Sequence, residues 1–190
     1  SVDMCGIIGI VSDRVIGREQ ALTQKMLASI PHRGPDCLGA WESSNALLGA
    51  VRLSIIDQSA GPQPIMNEDE TLILVCNGEI FNYLELRASL QEKGHTFRTR
   101  TDVEVLVHLY EEYGLELLDK VHGQFAFAIY DTRNKKLLVG RDRTGISPLF
   151  YCEVGSQFIF ASEVKALFEL SDVPRRFSME NISLSLGTWT

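Results

Sequence analysis

The chain has 190 residues, 45% of them hydrophobic, a formal charge of −7 and a pI near 5.1. A length of this order buries roughly 70% of the unfolded surface in a single domain, and the acidic balance supplies no broad positive field for a phosphate backbone, so nucleic acid is excluded as an expected partner. No apolar run approaches the ~20 residues that span a bilayer, no basic-then-apolar leader opens the chain, and a cytoplasmic protein without membrane contact is expected.

Met4-Cys5-Gly6-Ile7-Ile8-Gly9-Ile10 sets a thiol directly before an apolar run that predicts a strand over Ile7 to Val11. If Cys5 were the first residue, one residue would carry a nucleophile and its base. The α-amino group titrates at about 7.7–8.0 and a thiol at about 8.5, so the amine could take and return the thiol proton near neutrality. That chemistry suits acyl transfer from an amide; the competing reading of Cys5 is a small buried hydrophobe.

Arg18 to Ile30 carries Leu22, Met26, Leu27 and Ile30 on one helical face, and Pro31 ends it. His32-Arg33-Gly34-Pro35-Asp36 reads as a mobile surface loop. Ala46 to Leu53 predicts a strand with Arg52 near its end, and a long irregular stretch follows from Gln58 to Glu70. Thr71 to Cys76 predicts a strand covered on both faces that stops at an Asn77-Gly78-Glu79 turn. Asn82 is placed to cap a helix through Lys93, and His95 to Thr99 reads as a short strand. Thr101-Asp102 would then cap a second helix that ends at Gly114. Gln124 to Tyr130 and Lys136 to Gly140 predict a hairpin, followed by strands at Pro148 to Cys152 and Gln157 to Ala161 and a helix near Val164 to Leu170. This order, without regular strand and helix alternation, favours an α+β fold.

The four cysteines, Cys5, Cys37, Cys76 and Cys152, form no CxxC pair, and reduced thiols are expected. His32 and Cys37 lie close in sequence but have no second pair at ligand spacing, so no metal site is expected. His108 and His122 read as structural.

Six motifs occur in order: Met4-Cys5-Gly6-Ile7, His32-Arg33-Gly34-Pro35-Asp36, Arg52-Leu53-Ser54-Ile55-Ile56-Asp57, Asn77-Gly78-Glu79-Ile80-Phe81-Asn82, Thr101-Asp102-Val103-Glu104-Val105, and Gly140-Arg141-Asp142 with Gly145 and Pro148-Leu149-Phe150-Tyr151. Together they resemble the class II glutamine amidotransferase domain, and more narrowly the glutaminase half of glutamine-hydrolysing asparagine synthetases. Ala161-Ser162-Glu163-Val164-Lys165-Ala166-Leu167 agrees with that branch. The resemblance implies a four-layer αββα N-terminal-nucleophile hydrolase sandwich of two antiparallel sheets.

It also implies roles. Cys5 would attack the side-chain amide of L-glutamine, with the Asn77 amide and Gly78 N–H stabilising the oxyanion; Asn-Gly otherwise reads as a hairpin turn. A zwitterionic substrate needs a cation for its carboxylate, suited to Arg52, and anions for its ammonium, suited to Asp102 with Glu79. Residues just after the arginine, Leu53 to Ile56 and so Leu53 and Ile55, line the site in relatives. Arg33, Gly34, Pro35 and Asp36 resemble a lid over bound glutamine, while Arg141, Asp142 and Gly145 read as architectural.

Residues 1–4 read as an expression remnant plus an initiator methionine, 5–170 as the amidotransferase domain, and 171–190 as a linker towards a missing synthetase domain. No cofactor is expected within this chain, ATP and Mg belonging to that synthetase domain, in cis or in trans. A homodimer is compatible with the pattern. With Ser1 to Met4 attached, Cys5 lacks a free amine and inactivity is expected; the alternative is a catalytically silent glutamine-binding or interaction domain of the same fold.

Overall fold

The computed structural model describes residues 5–16, 19–34, 37–52 and 63–176. Among them, β1 (Gly6–Ser12), β2 (Cys37–Glu42), β3 (Ala46–Arg52), β8 (Phe150–Val154) and β9 (Gln157–Ala161) form one sheet in the order β2-β3-β1-β9-β8. A second sheet runs β4-β5-β6-β7, from β4 (Ile65–Met66), β5 (Leu72–Ile80), β6 (Gly123–Asp131) and β7 (Lys136–Arg141). Every pairing in both sheets is antiparallel.

Strand periodicity explains the layering, because successive side chains point to opposite faces. Ile7 on β1, Ala46, Leu48 and Ala50 on β3, Ile73 and Val75 on β5, and Ala126, Ala128 and Tyr130 on β6 share one core between the sheets. The alternate residues face outward to helices. Ile8, Ile10, Leu47, Val51 and Ile159 pack against Met26 and Leu27 of α1 (Glu19–Ala28) and Ala166 and Leu167 of α4 (Val164–Leu167). On the other side, Leu72, Leu74, Cys76, Phe125, Phe127 and Ile129 pack against Leu90 of α2 (Tyr83–Glu92) and the buried face of α3 (Val105–Tyr113). Three cores separate four layers, which is the α+β sandwich of two antiparallel sheets that the resemblance implies.

Several local expectations need correction. Asn77-Gly78-Glu79 is no turn: β5 continues through it to Ile80, paired with β6 as Asn77↔Ala126, Gly78↔Phe125 and Glu79↔Gln124. Residues 37–42, for which the sequence predicts no element, form β2, and 95–99, predicted as a strand, form none. Asn82 makes no side-chain cap on α2; its amide donates to the Lys120 carbonyl at 2.9 Å and its carbonyl accepts from His122 N–H at 2.9 Å, tying β5 to the start of β6. Residue 104, not 102, precedes α3, and α1 begins and ends inside its expected span. Of the described residues, no helix is long and apolar enough to cross a membrane.

The architectural reading of 141–145 corresponds to a dense turn. The Asp142 carboxylate accepts from the backbone N–H groups of Phe125, Thr144, Ile146 and Ser147 at 3.0–3.3 Å and from the Thr144 hydroxyl at 2.8 Å. These donors hold its carboxyl down at about 2. Arg141 locks the same turn by donating from Nε to the Ser147 carbonyl at 2.7 Å and from a terminal nitrogen to the Gly145 carbonyl at 2.5 Å.

A depressed carboxylate contributes stability above its unfolded value of about 3.9 and loses it as the pH falls through the folded value. Asp142→Ala strips an acceptor from several N–H groups at once, and urea unfolding at pH 7 is expected to show a loss of about 2–4 kcal/mol. The same variant is expected to lose less stability than wild type between about pH 4 and about pH 2, where the wild-type carboxylate takes up its proton.

Candidate active site

The inter-sheet rows end in polar residues at one edge of the sandwich. On β3, Ala46, Leu48 and Ala50 lead to Arg52; on β5, Ile73 and Val75 lead to Asn77; on β1, Ile7 leads back to Cys5. Gly6 pairs with Val51, so one further register step sets Cys5 opposite Arg52. Period-two geometry therefore sets Cys5 and Arg52 on the inner face of one sheet and Asn77 on the facing side of the other.

Cys5 is half-buried and reduced, and Asn77 is 3% exposed. The start of β1 is fixed by a reciprocal pair with Ser162: Ile7 N–H donates to the Ser162 hydroxyl at 2.9 Å, and Ser162 N–H to the Ile7 carbonyl at 2.8 Å. Beside Asn77, the Gln63 side chain brackets Cys76, donating to its carbonyl at 2.8 Å and accepting its N–H at 2.6 Å. Burial pushes the Cys76 thiol well up, with the Asp102 and Cys5 charges adding to that, so Cys76 is inert and lies within electrostatic reach of both.

Arg52, Glu79 and Asp102 line one cleft of about 350 Å³ together with Ile80, Phe81, Tyr83, Arg100 and Thr101. Asp102 Oδ2 accepts the Ile80 N–H at 2.7 Å, which binds the carboxylate to the end of β5. Burial raises the Asp102 carboxyl above its ordinary value, opposed by that hydrogen bond and by the Arg52 charge. Such a cleft, cationic at Arg52 and anionic at Glu79 and Asp102, matches a free amino acid's two charges.

Gly34 and Gly78 are among the positions where only glycine fits. A Cβ on Gly34 would sit 2.2 Å from Arg52 N, so the chain can press onto β3 only without a side chain. Gly78 has φ +149° and a Cβ there would lie 2.1 Å from the Gln124 carbonyl oxygen.

The expected lid has a firm root. Residues 31–33 form a 3₁₀ turn; Arg33 is buried and its Nε donates to Glu163, whose carboxylate also meets His32 Nε2 at 2.6 Å and Lys165 Nζ at 3.1 Å. These partners hold the Glu163 carboxyl down at about 2. Pro35 and Asp36 of that loop, and Leu53 and Ile55 after the arginine, lie outside the described residues. Sequence reading gave no site role to Gln63, Tyr83, Arg100 or Thr101 and did not foresee the anchoring role of Glu163; of these, Thr101 and Glu163 sit in motifs that could have drawn attention to them.

Residues 4–188 match the model of the glutamine amidotransferase domain, and the chain belongs to that family. Two solved structures share the fold with a TM-score of 0.75 each: a glutamine phosphoribosylpyrophosphate amidotransferase from B. subtilis, 23% identical and covering 90% of this chain and 45% of that one, and an allosteric regulatory enzyme of purine biosynthesis, 24% identical, covering 90% and 44%.

Within the family the chain is similar to glutamine-hydrolysing asparagine synthetases. It is 44% identical to asparagine synthetase 2 of Bacillus subtilis over 92% of this chain and 24% of that protein. It is 43% identical to asparagine synthetase B of Escherichia coli over 92% of this chain and 32% of that protein. The chain thus spans about a quarter to a third of the curated relatives it matches.

Gly78→Ala tests whether β5 must approach β6 this closely. With a forbidden φ and a backbone clash combined, chemical unfolding is expected to report a loss of about 2–4 kcal/mol, whereas an exposed glycine such as Gly155, with open space around it, should tolerate alanine at a cost of about 1 kcal/mol.

Proposed function

We propose that this domain hydrolyses L-glutamine to glutamate and ammonia through a thioester on Cys5, and that the ammonia serves an ATP-dependent amide-forming synthetase domain of the asparagine synthetase type. The observation that carries this reading is the cleft that presents Arg52, Glu79 and Asp102 together, with strand register setting Cys5 opposite Arg52 and Asn77 two residues before Glu79 on β5.

Arg52 grips the substrate α-carboxylate, and Asp102 with Glu79 meets the α-ammonium. The side-chain amide then lies against Cys5. The free α-amine of Cys5 takes the thiol proton, sulfur adds to the amide carbon, and the oxyanion accepts donors from the Asn77 amide and Gly78 N–H, each worth about 3 kcal/mol of barrier. Collapse of the tetrahedral intermediate breaks the C–N bond, and the proton held on the amine passes to the departing nitrogen, releasing ammonia. Water, deprotonated by the same amine, attacks the thioester; glutamate leaves and the thiol is regenerated. No cofactor enters these steps. Residues 33–36 would close over the substrate, hinged on the Arg33–Glu163 anchor.

Protein beginning at Cys5 is expected to release equal amounts of ammonia and glutamate from glutamine. Cys5→Ala should remove this by several orders of magnitude, and a chain retaining Ser1 to Met4 should be similarly impaired because its amine is acylated. Arg52→Ala removes a charge-assisted contact of about 1.5–3 kcal/mol, which raises KM roughly 10- to 150-fold. Glutamine binding without turnover, unchanged by Cys5→Ala, would establish the silent binding domain instead.

Asp102 gives a pH signature. Its carboxyl is raised, so glutamine affinity should fall on acidification with a midpoint above the ordinary aspartate range. An acid raised in the folded state also weakens folding as pH climbs from the unfolded value through the folded one. Asp102→Asn, which keeps the oxygen for Ile80 N–H, is therefore expected to leave the melting temperature at pH 7 equal or higher while abolishing the rise that glutamine gives wild type.

A further inference from the structure

Spacing along the chain offered no reason to expect a metal site, yet the fold gathers four potential ligands from three separate segments. Glu68 lies in the turn between β4 and β5, His95 in the connection from α2 to α3, and His108 and Glu111 stand three residues apart on α3, hence on one face. One ligand atom from each lies within 4.8 Å of all the others. His95 Nδ1 is 3.4 Å from Glu68 Oε1 and 3.9 Å from Glu111 Oε2, and His108 Nδ1 is 3.4 Å from Glu68 Oε2. In a tetrahedral complex with bonds of about 2.0–2.1 Å, ligand atoms stand about 3.4 Å apart.

The independent observation is His108 itself. Its side chain is fully buried, and neither ring nitrogen has a hydrogen-bond partner. The rings of His95 and Phe97 pack on it at 4.9 and 4.4 Å. A buried imidazole left without partners is rare, because both its donor and its acceptor have been taken from water. An ion at Nδ1 would use that lone pair and turn the remaining Nε2–H towards Glu104 Oε1, 3.8 Å away.

The surrounding groups are arranged as outer supports of such a site. His95 Nε2 lies 3.1 Å from Glu112 Oε1, so both imidazoles have a carboxylate behind them. The two carboxylate ligands are oriented as well: Thr96 N–H donates to Glu68 Oε1 at 2.7 Å, and the Asn67 amide to Glu111 Oε2 at 3.2 Å.

We propose that Glu68, His95, His108 and Glu111 bind one divalent d-block ion, zinc by preference, as a structural site. Two imidazoles exclude the all-oxygen preference of calcium and magnesium, and two carboxylates with two neutral imidazoles balance a double positive charge. Four protein ligands leave no open position for chemistry, and none of the four lines the cleft. The ion would pin the segment after α2 to α3. That segment is already held by Glu104, which accepts the N–H groups of Arg98 and Thr99 at 2.7 and 2.8 Å, and it leads directly to Asp102.

The test is zinc and cobalt(II) titration of the chelator-stripped full chain. Calorimetry should report one zinc per chain, with a melting temperature that climbs with zinc. Cobalt(II) should give the strong visible absorption of a tetrahedral complex without a thiolate charge-transfer band. Glu111→Gln, at an exposed position, and His95→Gln, whose side chain is 9% exposed, should weaken zinc binding about tenfold or more and lose the zinc-dependent rise, while the metal-free melting temperature of Glu111→Gln stays near that of stripped wild type. His108→Gln should bind no zinc if it folds; should it fail to fold, the other two variants decide. A thiolate band would assign the ion to a cysteine and overturn the proposal, as would unaltered zinc affinity in both variants or a melting temperature indifferent to zinc.

Discussion

Face-to-face packing of two antiparallel sheets through alternate side chains is the constraint on which the site depends. Ile7, Ala46, Leu48, Ala50, Ile73, Val75, Ala126 and Ala128 fill the space between the sheets, many of them small, and keep the strands in fixed register. A slip of one residue on β1, β3 or β5 would turn its whole apolar row to the wrong face. The same register that satisfies the core therefore aims Cys5, Arg52 and Asn77 together at the sandwich edge, where the rows run out of apolar residues. The geometry of the proposed site is a by-product of core packing, and it is as rigid as that packing.

Around this edge the fold uses polar groups for position. Ser162 clamps the residue two places after Cys5, Gln63 brackets the residue before Asn77, and Asp102 receives the N–H of Ile80. Glu163 ties the 31–33 turn to the beginning of α4 through Arg33 and His32. Asp102 illustrates the usual conflict between stability and use: burial works against its charge, while the proposed contact with a substrate ammonium needs it.

Much of this was legible in the residues. Apolar runs located β1, β3, β6 and β9 within a residue or two, and the motif set carried the fold and the grouping of Arg52, Glu79 and Asp102. The failures are physical. Asn77-Gly78-Glu79 has the composition of a turn, but Gly78 is used for close approach to β6, and the strand runs on. Residues 37–42 alternate between half-buried and exposed on an edge strand, which blurs their apolar signal. Asn82 looks like a helix cap, yet its amide spans to Lys120 and His122, contacts more than thirty residues away that no local pattern encodes. The Glu68, His95, His108 and Glu111 cluster is invisible for the same reason.

The most direct measurement is covalent capture with a glutamine analogue whose side-chain amide is replaced by a chloroketone, followed by peptide mass mapping of protein beginning at Cys5. The account predicts a single adduct on Cys5, prevented by excess glutamine, with Cys37, Cys76 and Cys152 unmodified. Labelling at another cysteine, or labelling of Cys5 that glutamine does not prevent, would contradict it.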